Sequence, residues 1–105
     1  MIQQTLFLSF SEPISSADLE QALSDVTRAV QATGHASAVA ARPHLPVEGE
    51  DRYPAFIGSA VVQINLDDLA ALGALFSAPE VDAVFDRIRE QHPYTTAWVN
   101  HEPLA

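Results

Sequence analysis

The segment AFIGSAVVQINL, residues 55–66, alternates between two sides along its whole length, and it constrains the fold more than any other part of the chain. This period of two is that of a β-strand. One side carries Phe56, Gly58, Ala60, Val62, Ile64 and Leu66. The other side mixes apolar and polar residues, which are Ile57, Ser59, Val61, Gln63 and Asn65. Such a strand belongs in a sheet whose more apolar side is covered by helices.

The remaining segments supply a fixed order of strands and helices. Strands are predicted over residues 2–10, 35–42, 55–66 and 94–104, and helices, from apolar spacing of three and four, between Ser15 and Gly34 and over residues 69–88. Ser15 and Gly34 are typical caps of the first helix. The order β-α-β-β-α-β predicts one domain, residues 1–105, of the α+β class. It is the ferredoxin-like arrangement: a four-stranded antiparallel sheet with two helices on one face and residues 94–104 at an edge.

The stretch Ser77-Ala78-Pro79-Glu80 interrupts the second helical region. A proline inside a helix removes a hydrogen bond and clashes with the carbonyl four residues earlier, whereas in the first turn it is tolerated. Ser77 and Glu80 have the spacing of a capping box. The sequence therefore predicts a second helical segment that restarts at this break, so that one apolar face can bend around the sheet.

The sheet face away from the helices is predicted to remain partly apolar. It carries Phe7, Ile57 and Val61 among serine and glutamine side chains. A half-apolar face open to water is unfavourable, and two copies pressed together through it would close a barrel. We therefore expect a homodimer.

Residues 53–88 resemble the dimeric α/β-barrel superfamily and, within it, EthD-like proteins. The matching pattern is a strand ending in a hydrophobic-Asp step, a helix, a Ser-Pro-Glu break and a second helix, at Leu66, Asp67, Ser77, Pro79 and Glu80. Many EthD-like proteins also carry a histidine and a proline on or after the first helix. The first helical segment of this chain has neither, so an acid–base role of that histidine has no counterpart here.

Composition excludes several classes of partner. The chain has 14 acidic and 5 basic residues and a formal net charge of -9, which disfavours nucleic acid and anionic membrane as partners. It has no cysteine, which excludes disulfides, thiolate metal sites and thiol nucleophiles. Neither a signal peptide nor an apolar run of about 20 residues is found, and the expected location is cytoplasmic.

The resemblance implies relatives that include cofactor-free monooxygenases, polyketide cyclases and chlorite dismutase-like haem proteins. The predicted function is a small cofactor-independent enzyme acting on a hydrophobic, polyketide-like metabolite. The reaction would be cyclisation, isomerisation, dehydration or oxygenation by proton abstraction. The alternative is a non-catalytic ligand-binding or dimeric interaction protein, which the missing histidine motif favours. No cofactor is expected. Haem held by a single axial histidine is the one alternative left. The spacing of the histidines does not indicate a metal site.

Two groups of residues are candidates for a site. His44 and Arg42 flank Pro43 at the start of a proline-rich loop, residues 43–54, and Tyr53 lies near its other end. His44 would be the base and Arg42 would stabilise an enolate, with Tyr53 shaping the pocket. The alanines of residues 35–42 allow either close packing or a cavity beneath that strand.

The second group lies on the last strand. Trp98, Tyr94 and Asn100 share one side of it, and in residue type they resemble the aromatic and polar lining of cofactor-free oxygenases of the superfamily. His35 is a further candidate for substrate contact. A cationic ring beside a helix end also has a sufficient structural role there.

Overall fold

A computed structural model describes all 105 residues and has the predicted order of elements. The strands are β1 (Ile2–Phe10), β2 (Ala36–Pro43), β3 (Ala60–Leu66) and β4 (Tyr94–His101), and the helices are α1 (Ser16–Ala32), α2 (Leu69–Phe76) and α3 (Pro79–Gln91). The four strands form one antiparallel sheet in the order β2-β3-β1-β4. The predicted ferredoxin-like α+β fold, with β4 at an edge, is confirmed.

The register of the central strand β1 determines which residues share a face. Leu6 pairs with Val62 on β3 and with Trp98 on β4, and Gln4 pairs with Asn100. Successive side chains of a strand point to opposite faces. Gln4, Leu6 and Leu8 therefore face the helices, and Gln3, Thr5, Phe7 and Ser9 lie on the opposite side, which we call the open face.

The core lies in one layer between the sheet and the helices. It contains 17 buried apolar residues, among them Leu8, Val26, Ile64, Leu75 and Val81. Burying each such side chain fully contributes about 1.5–3 kcal/mol relative to leaving it exposed. The caps of α1 are as predicted. The Ser15 hydroxyl accepts a hydrogen bond from the Asp18 backbone N–H at 3.1 Å, and Gly34 follows the helix with a φ of 74°.

The break before Pro79 is confirmed, but the predicted capping box is wrong. The Ser77 hydroxyl donates to the Gly73 carbonyl at 2.9 Å, so Ser77 closes α2 instead of opening α3. Ala78 precedes α3 with an extended backbone, and no side chain caps that helix. The physical reason is that a residue before proline is disfavoured in the helical conformation, which places the boundary at Ala78.

The third strand begins at Ala60 and not at residue 55. The regular pairing with β1 ends at Ala60. Beyond it the Ser59 backbone N–H donates to the Leu8 carbonyl at 2.7 Å, and the backbone N–H of Phe10 donates to the Ser59 hydroxyl at 3.0 Å instead of to a backbone carbonyl. The loop between β2 and β3 consequently runs over residues 44–59 and contains one 3-10 turn, Glu50–Arg52. Phe56, expected on the covered side, is 66% exposed. None of the helices has both the length and the apolar character needed to cross a membrane.

Candidate functional site

A pocket lies on the helical side of the sheet, at the β4 edge. Helix α1 packs against β2 and α3, and α2 packs against β2, β3 and α3, so the helices leave this side of β4 largely uncovered. The resulting space of about 580 Å³ is bounded by β1, β4, α2 and α3, and we call it the β4 pocket. Its apolar lining comprises Leu6, Leu69, Leu72, Phe76, Phe85 and Trp98.

One end of the β4 pocket is polar and formed by two amide side chains. Gln4 is only 3% exposed, and its Nε2 donates to Oδ1 of Asn100 at 2.9 Å. The Oε1 atom of Gln4 is buried and accepts no hydrogen bond from the protein. Leaving a buried acceptor unpaired costs about 1–3 kcal/mol. The unpaired acceptor therefore lowers stability unless a further group donates to it.

The other end is formed by Tyr94 and by one face of α3. The Tyr94 hydroxyl donates to the backbone carbonyl of Phe85 at 3.1 Å. The Arg89 guanidinium lies 4.7 Å from the centre of the Tyr94 ring and 3.3 Å from Asp86. Burial raises the pKa of the Tyr94 phenol above its ordinary value, while the charge of Arg89 opposes this. The phenol is therefore a neutral hydrogen-bond donor over the whole physiological pH range.

Three of the predicted site residues come together in the β4 pocket: Tyr94, Trp98 and Asn100. These three residues alternate along β4 with residues of the open face. The sequence alone therefore predicted that they lie on the same side of the strand. Trp98 remains 57% exposed because no helix covers it.

Other predicted residues lie at the opposite edge of the sheet. His44 and Tyr53 line a shallower depression of about 380 Å³ formed by the loop over residues 44–59. The ring of His44 donates from Nε2 to the Glu50 carboxylate, at 2.8 Å from Oε1. This hydrogen bond is the main reason that the pKa of Glu50 is lowered. A histidine held by a carboxylate in this way is oriented for proton transfer.

Arg42 and His35 line neither pocket. Nη1 of Arg42 donates to the carbonyl of its neighbour Ala41, and His35 is exposed just after the first helix. Ala36 and Ala41 of β2 pack against the core, which is the close-packing alternative, and neither described pocket lies beneath that strand. No group of three or more histidine or carboxylate side chains lies close enough together to hold a metal ion.

Sequence reasoning did not identify the other residues of the β4 pocket as site residues, and Gln4 and Gly73 are two of them. Each carried a signal. Gln4 is a polar residue at a strand position whose alternate neighbours, Ile2, Leu6 and Leu8, are all apolar. Gly73 lies inside an otherwise apolar helix, where glycine lowers helix stability.

No protein-family model matches the chain, and no curated protein matches it. Solved structures do match. A dimeric ferredoxin-like protein of unknown function from Thermobifida fusca YX superposes with a TM-score of 0.75 at 14% identity, over 97% of this chain and 90% of that one. A dabb family protein with a ferredoxin-like fold from Mesorhizobium loti gives a TM-score of 0.72 at 17% identity, over 99% and 97%. Hydroxynitrile lyase from Passiflora edulis superposes with a TM-score of 0.73 at 12% identity, over 95% of this chain and 90% of that one.

At these identities the similarity establishes the fold and nothing narrower. The chain has the ferredoxin-like fold of structures that include a dimeric protein and a dabb family protein. The fold that the resemblance to the dimeric α/β-barrel superfamily implies is thereby confirmed, and membership of that superfamily stays a prediction. The narrower resemblance to EthD-like proteins stays a prediction.

Proposed function

We propose that this protein binds a hydrophobic small molecule of metabolite size in the β4 pocket. The observation that carries the proposal is the pocket itself, whose volume of about 580 Å³ lies within the range of small-molecule sites. Its lining combines aromatic and aliphatic side chains with a few polar groups at the two ends, which is the usual composition of such sites. Asn100 and Tyr94 are separated by six strand positions, roughly 20 Å, so an elongated molecule fits best.

We further propose that the binding protein is a homodimer joined through the open face. Phe7 and Val99 leave that face partly apolar, with exposures of 39% and 58%, whereas Ile57, expected on this face, lies in the loop before β3. The similar protein from Thermobifida fusca is described as dimeric. Pairing through the open face would leave the β4 pocket of each protomer accessible, because the pocket lies on the helical side.

The binding proposal can be tested with the only tryptophan of the chain, Trp98, which lines the pocket. Titration with 1-dimethylaminonaphthalene, a neutral apolar fluorophore, should quench Trp98 emission by energy transfer in a saturable manner, and should raise the melting temperature. In the variant Trp98→Phe the energy donor is absent, so the fluorophore is excited directly and its own emission reports binding. This variant shows how much the aromatic ring at position 98 contributes to binding, separately from its use as a spectroscopic probe. A protein that shows neither saturable energy transfer nor a thermal shift would contradict the proposal.

Catalysis by proton abstraction is a second candidate function, and the observation that favours it is the 2.8 Å contact between His44 and Glu50. In this reaction His44 removes a proton next to a carbonyl, Tyr53 contacts the substrate, and Arg42 moves from its present neighbour to stabilise the enolate. The Passiflora edulis neighbour is an enzyme, a hydroxynitrile lyase, on the same fold.

The catalytic candidate is tested with 2-tetralone, a hydrophobic ketone with exchangeable protons. In deuterated buffer the protein should accelerate exchange of these protons, as followed by NMR. His44→Gln and Arg42→Gln should return the rate to that of buffer, whereas the control His35→Gln should not change it. If His44→Gln exchanges protons as fast as the unmodified protein, the assignment of His44 as the base is wrong.

A further inference from the structure

The head group of the bound molecule can be inferred from the polar end of the β4 pocket. Gln4 is the only polar residue among the buried residues of the chain, and every other helix-facing position of the central strand β1 near it is apolar. Its amide lines the pocket although Oε1 has no partner in the protein. A buried acceptor without a partner is stable only at a cost, which a ligand that donates to it would remove.

The hydrogen bonds of the amide pair leave two groups free. Nε2 of Gln4 is used by Oδ1 of Asn100, so Oε1 of Gln4 remains as an acceptor. The Nδ2 group of Asn100 makes no hydrogen bond within the protein and remains as a donor. The polar end of the pocket thus retains one acceptor and one donor that the protein does not use, a combination complementary to a group that both donates and accepts.

The charges around the β4 pocket argue against an anionic head group. Asp82 and Asp86 line the pocket, and the single cation in its lining is Arg89. The guanidinium of Arg89 already contacts Asp86 and the ring of Tyr94. These contacts lie at the Tyr94 end of the pocket, opposite the end formed by the amides of Gln4 and Asn100. The chain as a whole carries a formal charge of -9. A carboxylate or phosphate entering beside Gln4 would lose its hydration without meeting a free cation.

We infer that the β4 pocket is selective for uncharged molecules that combine an apolar, aromatic-sized body with a head group able to donate and accept hydrogen bonds, such as a primary amide, a lactam or a hydroxyketone. The head group binds at Gln4 and Asn100, and the body lies along Trp98. This inference rests on the proposed binding function, and it specifies the chemical class of the ligand.

Four matched fluorophores test the inference, because they share one naphthalene body and differ only in the head group. Dansylamide donates and accepts, N,N-dimethyldansylamide only accepts, dansylate is an anion, and 1-dimethylaminonaphthalene has no head group. Energy transfer from Trp98 gives a dissociation constant for each. We expect dansylamide to bind at least about tenfold more tightly than each of the other three, which corresponds to one well-formed hydrogen bond.

Two glutamine variants separate the head-group effect from a general change in the fold. Gln4→Met removes the amide with little change in size and should reduce the preference for dansylamide to less than about threefold. The matched control is Gln3→Met, because Gln3 also has a buried Oε1 without a partner but lies on the open face. This control should keep the full preference. Asn100→Ala should also lose the preference for dansylamide. Because Asn100 is exposed near the end of an edge strand, this variant provides the test if Gln4→Met does not fold.

The outcomes distinguish failure of the inference from failure of the proposed function. Equal affinity for all four fluorophores overturns the inference and leaves the β4 pocket as a binding site. Tightest binding of dansylate overturns it as well. Absence of binding by any of them, including the one without a head group, overturns both proposals. Loss of the preference in Gln4→Met but not in Gln3→Met supports the inference.

Discussion

Replacing Gly73 by alanine should stabilise the protein, because nothing in the fold requires glycine there. Gly73 is the fifth of eight residues in α2 and has no positive φ. An added Cβ atom would meet nothing within 4 Å. Glycine in a helix interior is less favourable than alanine by about 0.5–1 kcal/mol, because it loses more backbone entropy on folding. Gly73→Ala should therefore raise the free energy of unfolding by about that amount.

The measurement is urea unfolding with a parallel thermal melt. For a domain of this size a gain of 1 kcal/mol corresponds to an increase of about 4–8 °C in melting temperature. The matched control is Gly34→Ala. A Cβ atom at Gly34 would also meet nothing within 4 Å, but its φ is +74°. An L-residue in this left-handed conformation costs about 1–2 kcal/mol, so the same substitution in equally open space should destabilise the protein.

Glycine at position 73 makes the helix less stable than alanine would, and a ligand that occupies the space beside Gly73 would explain why a residue without a side chain is present there. Gly73 lines the β4 pocket. Gly73→Leu should therefore keep or raise the melting temperature while it weakens binding of dansylamide at least about tenfold, because the new side chain occupies the pocket. A Gly73→Ala variant less stable than the unmodified protein would refute the account of helix stability. A Gly73→Leu variant that binds dansylamide with undiminished affinity would refute the location of the site.

The remaining predictions concern the open face and two ionisable groups. Phe7→Asp should raise the dissociation constant of the dimer about tenfold or more in sedimentation experiments, because burying the 39% of each Phe7 side chain that is exposed in the protomer contributes about 1–2 kcal/mol for the two rings. Phe56→Asp, an equally apolar but loop-borne position that is 66% exposed, should have little effect, and equal effects of the two would contradict the proposed interface. Tyr94→Phe loses a hydrogen bond and should destabilise the protein by about 0.5–1.5 kcal/mol in urea. The raised pKa of Tyr94 means that the folded state retains this proton longer than the unfolded state, so stability should fall as the pH rises above about 10, and Tyr94→Phe should show less of this fall. The lowered pKa of Glu50 has the opposite sign: its contribution is present above the ordinary value of 4.5 and is lost as the pH falls through the lowered pKa, so Glu50→Gln and the unmodified protein should converge in acid urea melts.

Local signals predicted most of the secondary structure correctly. The caps of α1 and the break at Pro79 follow from backbone chemistry within a few residues, which does not depend on the rest of the fold. Two of the errors arose where a neighbouring element competed for a group, and a third was the end of β4, which lies at His101 and not at residue 104. The Ser77 hydroxyl bonds to the preceding helix, and the Ser59 hydroxyl takes the N–H of Phe10 from a different strand. No pattern within either segment reveals such competition.

The candidate site was predictable in part. Strand parity alone placed Tyr94, Trp98 and Asn100 on one side of β4, and the structure shows that this side lines a pocket. The register that sets Gln4 opposite Asn100 joins residues at the two ends of the chain. The pairing depends on how β1 and β4 align over their whole length, so neither segment by itself indicates it. The pairing of His44 with Glu50 likewise depends on the path of the loop between them.

By itself the sequence determined the elements, their order and the apolar side of each, because hydrophobic period and turn chemistry act over short distances. Only the tertiary structure decided where the helices lie on the sheet. Helix packing is set by contacts between distant segments, and here it covers β2 and β3 while leaving the helical side of β4 open. The β4 pocket is a consequence of that placement.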